Sequence, residues 1–88
     1  MNNENETLRW PTNLDHDAIV RRLVEVRKAA EAGGFAALAA QLANVEGMTS
    51  AHLGACVIAA IGLVQEKPEH RALATQLEMI AMNLKNLK

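Results

Sequence analysis

Aromatic side chains are nearly missing from this chain. One Phe and one Trp make up 2% of its 88 residues, and there is no Tyr. β-branched strand formers are also scarce beside Ala and Leu, which argues for helix and against a sheet. There is one cysteine, Cys56, which excludes an internal disulfide framework and suits a reducing cytosol. No basic excess exists: the net charge is −1, with none of the positive footprint expected for binding phosphate backbones. The sequence has no phosphate-cradling Gly loop, no paired-Cys motif and no nucleophile elbow. It also shows no internal repeat, and the Trp/Gly/Tyr positions of a tetratricopeptide unit are not met.

The most informative absence is local. Between Gly33 and Gln65 the only formal charge is Glu46. A solvated helix normally keeps a charged face, so a stretch this neutral is expected to be covered on more than one side. Met48 to Val64 carries no charge at all, over a run near the lower limit of about 17 residues for a membrane span. It opens with Thr49, Ser50 and His52, contains Gly54 and Gly62, and lacks flanking Lys/Arg, so a membrane span is rejected. The N-terminal MNNENETLRWP is polar and acidic, without the order of a secretory signal. The expected location is the cytoplasm.

What remains reads as one domain of four helices. Residues 1–11 form a polar tail, in which Leu8 and Trp10 either dock on the body or stay loose. The domain covers 12–88, with helices at about 15–32, 35–46, 49–66 and 68–87. Asp15 is the expected N-cap of the first helix, with Leu14 and Ile19 as a hydrophobic staple; Thr12 with Asp15 is an alternative capping box. Ile19, Leu23, Val26 and Ala30 follow at helical spacing. Asp17 and Arg21 form a favourable i,i+4 pair, and Gly33-Gly34 ends or bends the helix. In the second helix Phe35, Leu38, Leu42 and Val45 make a seam, with alanines on the rest of the circumference. The third starts at Thr49 as N-cap, with Met48 and Leu53 as staple, and is apolar all round from Leu53 to Val64. That marks a buried central helix. Gly54 and Gly62 each cost about 1 kcal/mol there relative to Ala, a cost that makes sense if something packs tightly on them. Pro68 fits the first turn of the fourth helix, where Leu73, Leu77, Ile80, Leu84 and Leu87 keep the cleanest heptad spacing.

Few side chains offer chemistry. His52 and Cys56 are four residues apart on one helix and could supply two ligands to a soft metal, but two ligands do not make a site. No metal and no cofactor is therefore expected. Asp15-His16-Asp17 mixes carboxylates and imidazole, yet consecutive helical residues point in different directions, so capping is the simpler role. Arg21, Arg22, Arg27 and Lys28 make a local basic cluster, either a solvated face or a docking site for an acidic partner.

Two resemblances bear on function. Ala51-His52, with Gly62 ten residues on, resembles the histidine phosphotransfer domain, a four-helix bundle, which would imply His52 as phosphoacceptor. That family's following basic residue and glycine are replaced by Ala55 and Cys56. Leu38-Ala39-Ala40-Gln41-Leu42, then Met48-Thr49-Ser50-Ala51-His52-Leu53, then Gly62-Leu63-Val64 are similar to winged helix-turn-helix regulators. This match implies a recognition helix, but Thr49 to Val64 contains no Arg, Lys, Asn or Gln to read bases or phosphates.

These observations lead to an all-α fold, a small four-helix up-down bundle completed or extended by dimerisation, with the second and third helices most buried. The expected interaction surface combines Ala36, Ala40, Ala43, Ala51, Gly54, Ala55, Ala59 and Gly62 with the seam Leu73, Leu77, Ile80 and Leu84. The leading functional expectation is a non-enzymatic interaction module (adaptor, regulator or assembly factor) that binds itself and another protein. The alternatives are a helix-turn-helix transcription regulator and a phosphotransfer domain using His52.

Overall fold

A computed structural model describes residues 14–86. The expectations for the tail 1–11, for Thr12 as part of a capping box and for Leu87 lie outside the described residues. Among the described residues there are four α-helices and no strand: α1 (His16–Ala32), α2 (Ala36–Gln41), α3 (Ser50–Gln65) and α4 (Arg71–Lys85). Short 3₁₀ turns at Val45–Gly47 and Pro68–His70 precede α3 and α4.

The ends of α1 are set by local chemistry. The Asp15 carboxylate accepts the Ala18 N–H at 2.8 Å, the N-cap bond that the sequence predicts. Leu14 is half-buried against the core, and Ile19 is fully buried. At the other end, Gly34 takes φ +79°, which favours glycine. Phe35 N–H then reaches back to the Ala30 carbonyl at 2.8 Å and Gly34 N–H to Glu31 at 3.2 Å. This is a Schellman closure, sealed by burial of both Phe35 and Ala30. The Asp17–Arg21 pair does not form; the Asp17 carboxylate lies 3.8 Å from His16 Nδ1 instead.

The second helix is shorter than its spacing predicts. Phe35, Leu38, Leu42 and Val45 are all buried, as the seam requires. The helix nevertheless stops at Gln41, and Val45 is carried by a 3₁₀ turn. The turn that follows is held from outside the segment. Arg27 on α1 donates through one Nη to the Leu42 carbonyl at 3.2 Å and the Ala43 carbonyl at 3.1 Å. Those carbonyls would accept the Glu46 and Gly47 N–H groups if the helix continued. Its guanidinium also makes a two-bond fork with the Glu46 carboxylate, at 3.1 and 2.9 Å. The single charge of the neutral third therefore clamps the turn after α2 onto α1.

Thr49 caps α3 as expected, its hydroxyl accepting the His52 N–H at 3.3 Å. The fourth helix begins later than 68, because His70 has a non-helical backbone (φ −110°, ψ 28°) and Pro68–His70 is a 3₁₀ turn. The His70 ring stacks on Phe35 with centroids 4.8 Å apart, tying the start of α4 to the end of α1. At the opposite end, the buried Asn83 accepts the Leu14 N–H at 2.9 Å and donates to the Met79 carbonyl at 3.0 Å. α1 and α4 are thus antiparallel and fastened at both ends.

The core draws on every helix, with Ile19, Leu23, Leu38, Leu53, Val57, Leu77 and Ile80 all fully buried. α4 packs against α3 and α1, and α2 against α1 and α3. Each helix thus has two principal neighbours, and none is surrounded. Two expectations are corrected by this arrangement. α3 is not a buried central helix: Leu53, Cys56, Val57, Ala60 and Val64 point inward while Ala51, Ala55, Ile58, Ala59 and Gly62 face solvent. α2 likewise exposes Ala36, Ala37 and Ala40.

Candidate functional site

The expected interaction residues divide into three groups in space. The first is the solvent face of α3. At about 100° per residue, Ala51, Ala55, Ile58 and Gly62 fall within one narrow sector, flanked by Gly54 and Ala59. Ile58 is 69% exposed and stands at the centre, with Gly54 one turn before it and Gly62 one turn after. No charged side chain lies on α3. A Cβ added at Gly54 or at Gly62 would meet nothing within 4 Å. The missing side chains therefore serve no packing need among the described residues. Ile58 is absent from the surface expected from sequence. The chain reads as apolar all round at that point, so composition alone gives no outward direction.

The second group, Ala36, Ala40 and Ala43, is exposed in and just after α2. Ala40 and Ala43 border a hollow of about 440 Å³ that also touches Arg27, Glu31 and Glu46. The third group is the α4 seam, and here the expectation fails for two residues. Leu77 and Ile80 are fully buried against the protein's own core, because the apolar stripe of α4 is what α3 and α1 pack upon. Neither is available to a partner. Leu73 and Leu84 are half-buried beside them.

The candidate reactive residues are also separated. Cys56 is buried, and its Sγ donates to the Gln41 carbonyl at 3.2 Å. Burial pushes its thiol pKa up, against a smaller opposing effect of the Gln41 hydrogen bond. It is a protonated core thiol rather than a nucleophile. His52 is exposed at the start of α3, with its Nδ1 3.0 Å from the Thr49 hydroxyl. His16 Nε2 donates to the Met48 carbonyl at 3.0 Å, and His70 is engaged with Phe35. Among the described residues no three His, Cys, Asp or Glu side chains are placed to hold a metal ion.

The basic cluster does not act as one patch. Arg27 is committed to Glu46 and to the Leu42 and Ala43 carbonyls just after α2; the hydrogen bond with Glu46 is the chief cause that raises its pKa and lowers that of Glu46. Arg21 and Lys28 are exposed, Arg22 is half-buried, and none of the three has an ion pair among the described residues. No helix among the described residues is long and apolar enough to cross a membrane. The region where a winged regulator would place its wing is the helix α4. Comparison with protein-family models, curated proteins and solved structures finds no match to this chain.

Proposed function

We propose that this protein is a small, non-enzymatic helical interaction module that works as a homodimer. It would serve in the cytoplasm as an adaptor, regulator or assembly factor for another protein. The observation that carries this reading is the α3 face, where Ile58 is 69% exposed in an uncharged strip between two glycines with open space above them. A knob and its holes on one helix are self-complementary. In an antiparallel pair of α3 helices, Ile58 of one copy sits over Gly62 of the other, and the reverse contact follows from the two-fold axis. Burial of each Ile58 side chain contributes roughly 1.5–3 kcal/mol, and small neighbours let the helix axes approach closely. In this reading the four helices form an up-down bundle whose open side is covered by the second copy.

Equilibrium sedimentation tests the proposal. The protein is expected to be a dimer at high micromolar concentration, and Ile58→Lys a monomer with unchanged helicity. A monomeric wild-type protein under those conditions refutes it. The helix-turn-helix alternative predicts duplex DNA binding with a steep salt slope, and the absence of binding at low salt removes that alternative.

A further inference from the structure

The neutral strip on α3 has an ionisable side chain at each end. His52 stands in the first turn, and Glu66 is the residue on which the helix closes. Both are exposed. At about 100° per residue, His52 lies about 100° and Glu66 about 60° round the helix from the line between Ile58 and Gly62, in the same sense. The two therefore share one flank of the strip, with Ala55 and Ala59 between them.

In the antiparallel pair, with Ile58 over Gly62 of the other copy, the two-fold axis passes at the level of Ala60. At ~1.5 Å per residue, His52 is about 12 Å to one side of that level and Glu66 about 9 Å to the other. The two-fold reverses the helix direction but sets each flank against the same flank of the second copy. His52 of one copy thus comes within about 3 Å, measured along the axis, of Glu66 of the other, and the contact occurs twice. Glu66 also arrives at the start of the other α3, where the helix dipole favours a carboxylate.

The surroundings leave His52 able to answer that carboxylate. Its Nδ1 is 3.0 Å from the Thr49 hydroxyl, which donates to a neutral imidazole and accepts from a charged one, so the cap survives either state. Its Nε2 has no partner among the described residues. Of the elements packed against α3, α2 carries no charge, and Glu46 in the turn before α3 is taken up by Arg27. α4 carries Arg71, Glu78 and Lys85. The connection before it carries Lys67, Glu69 and His70, the last stacked on Phe35.

We infer that His52 and Glu66 pair across the α3 dimer and link self-association to protons, so that the dimer tightens as the imidazole becomes charged. This pairing rests on the α3 dimer proposed above and adds its register and its control. Imidazole is the side chain that changes charge between pH 5 and 8, and a carboxylate stays ionised over that range. Association then takes up protons, and acidification within the range strengthens it.

Equilibrium sedimentation at pH about 5.5 and about 8 tests the pairing, with circular dichroism to show that helicity is kept. The wild-type dimer is expected to be roughly 2- to 30-fold tighter at the lower pH, from two exposed ion pairs. His52→Lys is expected to stay tight at both pH values, and Glu66→Gln to lose the pH dependence. His52→Glu is expected to weaken the dimer, and Glu66→Lys added to it to restore association. A wild-type dimer whose affinity is the same at both pH values overturns the pairing and leaves the α3 dimer standing. A pH effect that survives in Glu66→Gln also overturns it, as does an exchanged pair that fails to restore association. A wild-type protein that is monomeric at both pH values overturns the pairing and the dimer together.

Discussion

Replacing Gly54 and Gly62 together by alanine should make the monomer more stable and the dimer weaker. Both glycines lie in the interior of α3 with helical backbone, since Gly34 alone has positive φ among the described residues. An added Cβ meets nothing within 4 Å at either position. Each substitution therefore removes the glycine penalty of about 1 kcal/mol without steric cost. The two sites are about 12 Å apart along the axis at ~1.5 Å per residue, far enough for the effects to add to about 2 kcal/mol. For a domain of this size that corresponds to a rise in Tm of roughly 8–16 °C. Urea and thermal melts followed by circular dichroism at low micromolar concentration measure the gain. The methyl group at position 62 occupies the hollow proposed to receive Ile58 of the second copy, so sedimentation should show a weaker dimer. Gly34→Ala is the control: with φ at +79° it should lose about 1–2 kcal/mol. A double variant less stable than wild type would show that the space above the glycines is filled within one chain. Higher stability with undiminished association would show that α3 is not the interface.

Three further expectations follow from the fastenings of the fold. Glu46 has a carboxylate pKa held below its ordinary value, first by the hydrogen bond from Arg27. Its ionisation therefore stabilises the folded state above the unfolded value of about 4.3, and that contribution disappears as pH falls through the lower folded value. Glu46→Gln should accordingly be less stable than wild type at neutral pH, with the difference closing on acidification; urea melts between pH 7 and pH 3 check this, and a difference that grows in acid refutes it. Asn83→Ala strips the buried acceptor from Leu14 N–H and should cost about 1–3 kcal/mol in chemical denaturation; a loss under a few tenths would show that this bond is replaced by solvent. Cys56, buried and protonated, should react with a thiol reagent only at the rate of global or local opening, whereas fast labelling of the native protein would contradict its placement under Gln41.

Local chemistry was the legible part of this fold. Asp15, Thr49 and the Gly33-Gly34 pair each act within a few residues, and each does what its position predicts. The seam from Phe35 to Val45 is also buried as its spacing requires. The length of α2 was not legible, because the Arg27 bonds that hold the turn after it come from another helix and no pattern within 35–46 records them. The direction of α3 was hidden for a different reason. A helix that is apolar all round has no phase, so the sequence can announce missing charge without saying which side is bare. The leucine seam of α4 misled in the opposite sense: its spacing is equally good for a partner and for the protein's own core, and Leu77 and Ile80 belong to the core.

Mixing isotope-labelled and unlabelled copies of the wild-type protein and recording intermolecular nuclear Overhauser effects from the Ile58 methyl groups tests the central claim most directly. The account predicts contacts from Ile58 of one copy to Gly62, Ala59 and Ile58 of the other. A spectrum without intermolecular contacts at Ile58, or with contacts only to α1 and α4, would contradict it.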